Sequence, residues 1–138
     1  MAYGGIRLRS KSVSGMRWCL ALLFIFSLPG KAHEGIAPTV PDHEAVIDQS
    51  PSILRFVFPG EVTITNLRIR PVNEALALQG DVVTVRLPRN RVGQSTAFGT
   101  EIDLPIPLLN PGFYQVVFQV RTIDGHMQAD DYTFTITP

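Results

Sequence analysis

From Ile53 to the end of the chain, apolar and polar residues alternate in short runs, each closed by Pro, Gly or Asn. Alternation with period two places one side of each run on a core and the other in solvent, the signature of half-buried β-strands. "ILRFVF" (53–58) stops at Pro59-Gly60, "VTITNLRIR" (62–70) at Pro71, and "DVVTVRL" (81–87) at Pro88. "TEIDLPI" (100–106) is a weaker strand whose Pro105 suits a sheet edge. After the turn signal Asn110-Pro111-Gly112, "FYQVVFQVRT" puts Tyr114, Val116, Phe118 and Val120 on one face. Tyr132, Phe134 and Ile136 do the same in the last strand. With residues 33–38 as an opening strand and 88–99 as an exposed loop, about seven strands result. There is no repeat and no convincing amphipathic helix. The pattern predicts an all-β, immunoglobulin-like sandwich.

The first 32 residues break this pattern. Arg7, Arg9, Lys11 and Arg17 precede the apolar run Trp18–Leu28, and Gly30 and Ala32 place small residues before a cut after Ala32. A basic leader, a short apolar run and small residues at −3 and −1 describe a secretory signal peptide. The run is shorter than the ~20 residues a membrane span needs. The expected domains are therefore a leader, 1–32, and one small domain, 33–138, with no later membrane-spanning segment.

Cleavage changes the composition. Residues 33–138 keep seven Arg, no Lys and all twelve Asp and Glu, a net charge of −5 with His neutral. Such a surface argues against nucleic acid, whose binding requires neutralisation of phosphates, and suits attraction of cations. Cys19, the only cysteine, leaves with the leader, so burial alone must hold the domain without disulfides.

Cleavage also makes His33 the first residue. Its α-amine, with a pKa of about 7.7–8, and its imidazole can close a chelate ring on one metal ion. Nitrogen-rich tetragonal sites favour Cu(II). In "RTIDGHM", Asp124 and His126 stand two apart, so in an extended segment both reach the same side. If the first strand lies beside them, the donors are the amine, His33, His126 and Asp124. The alternative is that Asp124-Gly125 is only a turn, since Asp-Gly is a strong turn dipeptide, and that His126 is an exposed histidine. His43, between Asp42 and Glu44, reads as an exposed loop histidine.

The stretch "NPGFYQVVFQVRTIDGHMQADDYTFTI" resembles the closing part of the CopC/PcoC-type periplasmic copper-binding proteins. Those carry a Gly-x-Tyr turn, a core strand, a Ser-x-Asp-Gly-His motif and a final Phe-x-Phe strand. Their mature chains begin with histidine and have a proline about eight residues on, as His33 and Pro41 do here. "PDHEAVIDQSPSILRFVF" is similar to their second segment, a Pro-rich turn leading into a strand. The resemblance implies a seven-stranded cupredoxin- or immunoglobulin-like sandwich with a Cu(II) site at His33, Asp124 and His126. Glu61 matches a further carboxylate ligand if the loop after Phe58 holds one extra residue. The chain departs from the pattern at Phe118 (usually Trp), Met127 (Pro) and Asp130 (Gly). A methionine-rich Cu(I) loop is missing, and Met127 is the only methionine after the leader and reads as a surface or packing residue.

The expected function is that of an exported, periplasmic copper-binding protein, not an enzyme, which sequesters or delivers Cu(II) in copper tolerance or homeostasis. Its partners would be the copper ion and a membrane copper transporter or another periplasmic cuproprotein, with the protein a monomer or weak dimer. Two other classes stay open. One is a metal-free adhesion or interaction sandwich; the other is a small copper-dependent oxidase using the amino-terminal histidine.

Overall fold

In the computed structural model residues 37–138 are described; the expected signal peptide, and His33 with the rest of the opening segment, lie outside them. Among the described residues there are seven strands and no helix: β1 Ala37–Val40, β2 Ala45–Ile47, β3 Ile53–Pro71, β4 Val83–Thr84, β5 Phe98–Pro105, β6 Gly112–Thr122 and β7 Met127–Ile136.

The 19-residue strand β3 organises the fold. Its first half lies between β1 and β5, with Arg55 opposite both Val40 and Asp103. Its second half lies between β6 and β4, with Arg68 opposite both Val117 and Thr84. The pairing with β5 shifts register between Val57 and Val62, where Pro59, Gly60 and Glu61 are exposed. A strand that bends at such an irregularity passes from one sheet of a sandwich into the other. Residues 53–58 and 62–70, expected as two strands, are therefore one. The Pro-Gly break bends the strand instead of ending it.

The alternation then works as expected on both sides of the bend. Leu54 and Phe56 from the first half and Ile64, Leu67 and Ile69 from the second are at most 1% exposed. The parity slips from Ile64 to Leu67 because of a second irregularity in the β3–β6 register, between Ile64 and Asn66. Tyr114, Val116, Phe118 and Val120 of β6 and Tyr132, Phe134 and Ile136 of β7 all face the same core. Phe56 meets Phe118 at 5.0 Å and Tyr132 at 6.0 Å between ring centroids, so rings from the two sheets interlock. Each such side chain contributes about 1.5–3 kcal/mol by leaving water, which is how a domain without disulfides is held together.

Other boundaries moved. The run 81–87 is a strand only at Val83–Thr84, although Val85 and Leu87 are buried. β5 begins at Phe98, inside the expected loop, because Ile64 N–H donates to Ala97 O and keeps the returning chain beside β3. β5 pairs only with β3, so Pro105 does sit on an edge strand. β2, read as part of a turn, lies parallel to β7 with Ala45 opposite Phe134. His43 is half-exposed but is more than a loop histidine. Its Nδ1 accepts the Thr133 N–H at 3.2 Å while Glu44 N–H donates to Thr133 O at 2.7 Å, which ties this edge to β7.

Candidate metal site

β6 and β7 are joined by a tight hairpin that contains both Asp124 and His126. Gly125 N–H donates to Thr122 O and Thr122 N–H to His126 O, each at 2.9 Å, and Gly125 has φ of 90°. This is a three-residue hairpin loop, a β-turn followed by a left-handed residue. Glycine suits that last position because it has no Cβ to clash there. The segment is thus a turn and not the extended stretch expected from the Asp-x-His spacing. The turn nevertheless brings the two side chains together.

Asp124 Oδ2 lies 2.6 Å from His126 Nδ1. The other oxygen, Oδ1, accepts the Thr122 hydroxyl and, at 3.3 Å, the His126 N–H. These donors hold the Asp124 carboxyl down at about 2, below its ordinary 3.8, with the Thr122 hydroxyl foremost and the His126 ring next. An ionised carboxylate only accepts hydrogen bonds, so in this contact His126 donates from Nδ1. A carboxylate offers about four acceptor positions. Three are taken within the turn, which leaves one for an ion. Both side chains stand in solvent, Asp124 at 65% and His126 at 77% exposure, accessible to a ligand.

The hairpin forms one wall of an open cleft of about 760 Å³, and the bend of β3 forms the other. Val62 pairs directly with Thr122, which fixes the two walls against each other. Phe58, Pro59, Val62, Val120 and Ile123 line the cleft with apolar surface, and Glu61, Asp124 and His126 supply its ionisable groups. Three of the four expected ligands therefore share one cleft, while His33 lies outside the described residues. Among the described residues, no three His, Cys, Asp or Glu side chains come close enough to hold a metal by themselves. Met127 is 49% exposed and sits opposite Arg121 on the ladder, consistent with a surface residue.

Thr122 is a further residue of this cluster, and its signal in the sequence is a hydroxyl residue two positions before the Asp of an Asp-Gly turn. The apolar lining has no such signal, because nothing in the sequence marks Phe58 and Val120 as bordering a cleft.

No curated protein sequence matches the chain. Among solved structures, CopC from Methylosinus trichosporium OB3b is similar over 75% of this chain and 92% of its own, with 23% identity and a TM-score of 0.52. PcoC, a copper resistance protein from Escherichia coli, aligns over 74% of this chain and 98% of its own, with 17% identity and a TM-score of 0.43. A family model, the CopC domain, matches residues 36–137, the whole sandwich with its hairpin. The chain belongs to the CopC-domain family.

Proposed function

We propose that this protein binds Cu(II) after export and holds it for tolerance or for delivery, without catalysing a reaction on it. The observation that carries this reading is the contact between Asp124 and His126. It sets a carboxylate oxygen and a ring nitrogen 2.6 Å apart on the wall of a cleft that also contains Glu61. Copper is the cargo here. A ring nitrogen of His126, the α-amine and imidazole of His33, and the Asp124 carboxylate form its donor set, with Glu61 as a further carboxylate and copper taking the place of the proton that joins Asp124 to Nδ1. Three nitrogens and a carboxylate suit tetragonal Cu(II).

The direction of β1 supports the part played by His33. From Val40 back to Ala37 the partner on β3 moves from Arg55 to Val57, toward the bend that lines the cleft. The four steps from Ala37 to His33 reach up to ~14 Å when extended. On this reading residues 1–32 are a secretory leader, 33–138 are the working domain in the periplasm, and removal of the leader creates the chelating amine. The copper acceptor is a membrane transporter or another cuproprotein. Filling four positions with protein donors leaves little room for a substrate, which favours carriage over oxidation chemistry.

The test is a competitive Cu(II) titration with electron paramagnetic resonance on two forms, one beginning at His33 and one retaining Ala32 before it. Much tighter binding by the first, with a nitrogen-rich tetragonal spectrum, is expected. Equal binding would remove the amine from the donor set, and no binding by either form would end the copper reading.

A further inference from the structure

The cleft has an open strand edge as well as walls. Phe58, Pro59, Gly60 and Glu61 belong to β3, yet among the described residues none of the four has a ladder partner. The pairing with β1 stops at Val57, the pairing with β5 skips from Val57 to Val62, and the pairing with β6 begins at Val62. A strand edge of this kind is a template for another strand. The same four residues line the cleft together with Val62, Val120 and Ile123, and Ile123 is 74% exposed.

β1 begins beside this edge. Its pairing is antiparallel with Ala37 opposite Val57, so each step toward the amino terminus is one step forward on β3. Continued without a shift, the ladder would set Ile36 opposite Phe58, Gly35 opposite Pro59, Glu34 opposite Gly60 and His33 opposite Glu61. Ile36 is the only apolar residue of these four, and directly opposed residues share one face of a sheet. Phe58 is 5% exposed, stacks on Phe56 at 6.1 Å between ring centroids and lines the cleft. Gly35 brings no side chain against the Pro59 ring. A slip by one residue would turn Ile36 to solvent and set Gly35 against Phe58, so burial selects this register.

We propose that the chain's own residues 33–36 occupy this cleft: they extend β1 along Phe58–Glu61, and the Ile36 side chain covers the apolar end. Backbone pairing and apolar burial drive the docking, so it requires neither a metal ion nor cleavage after Ala32. Its consequence for copper rests on the function proposed above: residue 33 is set beside Glu61, in the cleft that also holds Asp124 and His126. Ile36 is then a positioning residue, which holds the segment that carries His33 and itself touches no ion.

The experiment compares the protein recovered after export with its Ile36→Val and Ile36→Asn forms. Without metal, methyl NMR reads nuclear Overhauser contacts of residue 36, and amide exchange reads the protection of residues 34–36; Cu(II) affinity by competition follows. The parent should show contacts from the Ile36 methyls to the Phe58 ring and to the Val62 or Val120 methyls, unchanged on dilution. Ile36→Val keeps an apolar, β-branched side chain and should keep contacts and protection. Ile36→Asn should lose both while the core contact of Tyr114 with Phe134 persists. Cu(II) affinity should fall about 10-fold in the asparagine form, the equivalent of one aliphatic side chain left unburied, and stay near the parent's in the valine form. No contact between Ile36 and Phe58 in the parent would overturn the proposal, as would an asparagine form that keeps its amide protection. Contacts between differently labelled copies that vanish on dilution would make a second copy the occupant and overturn it as well. If the metal-free contacts are present and respond to asparagine while no form binds copper, the docking stands and the copper reading is the part that fails.

Discussion

The two ends of β6 are both turns, and they are built on opposite terms. At its start, after Asn110-Pro111-Gly112, Tyr114 is 6% exposed, stacks on Phe134 at 5.6 Å and donates its hydroxyl to Asn110 O at 2.7 Å. This is a tyrosine corner, in which a buried phenol finds a backbone acceptor a few residues upstream. At the other end the polar groups of Thr122, Asp124 and His126 bind one another in the open. The first hydrogen bond is required by burial, because an unpaired buried hydroxyl costs stability. The second cluster has water available to every member, so folding alone does not demand it. The same strand thus carries a turn that serves the fold and a turn that carries the proposed site.

If that division holds, changes on the buried side should alter stability and leave the site intact. Phe134→Ala, at a fully buried position, should cost about 3–5 kcal/mol, measured by denaturant unfolding, while the folded fraction keeps its copper affinity. The converse change is His126→Ala. It should lower Cu(II) affinity on the order of 100-fold or more with an unchanged unfolding midpoint. A large loss of stability from this exposed residue would break the comparison.

Smaller effects sharpen it. Gly125→Ala meets no neighbouring atom, but its φ of 90° is strained for any residue with a Cβ. It should cost roughly 1–2 kcal/mol and also weaken copper binding, because the turn that joins Asp124 to His126 relaxes. Tyr114→Phe removes only the corner hydrogen bond. A loss of about 1 kcal/mol is expected, with copper binding untouched.

The smallest effect concerns protons. The Asp124 carboxyl is lowered from 3.8 to about 2, so its contribution to stability is fully present above the ordinary value and is lost as pH falls toward 2. It therefore stays ionised throughout pH 8 to 4. Loss of copper across that range must come from protonation of the nitrogen donors. A Cu(II) retention curve should weaken toward pH 4, and Asp124→Asn should lower the affinity without moving the midpoint. A midpoint that moves with the carboxylate would assign the release to Asp124 instead.

Much of the molecule is legible in local pattern. The parity of Tyr114, Val116, Phe118 and Val120, and of Tyr132, Phe134 and Ile136, placed each on the core side because strand geometry alternates faces whatever the neighbours are. Asp124-Gly125-His126 is equally local, since a hairpin of this kind brings its own side chains together. Less legible were the elements whose form depends on a partner. Pro59-Gly60 looks like a strand end, but β3 continues through it because each half has a different pair of neighbours. The three residues of β2 carry little strand signal and are strand because β7 offers them an edge.

The sequence by itself determined which faces are buried, that the fold is all-β, and which two residues stand at the hairpin, since these follow from propensities and spacings within a few residues. Tertiary structure alone decided that Glu61 and Phe58 share a cleft with Asp124 and His126, some sixty residues away along the chain. It did so through the bend in β3 and the pairing of Val62 with Thr122. Such a meeting depends on which sheets pack and in what register, and register is set by the sum of many side-chain contacts across the core, none of which is written at any one position.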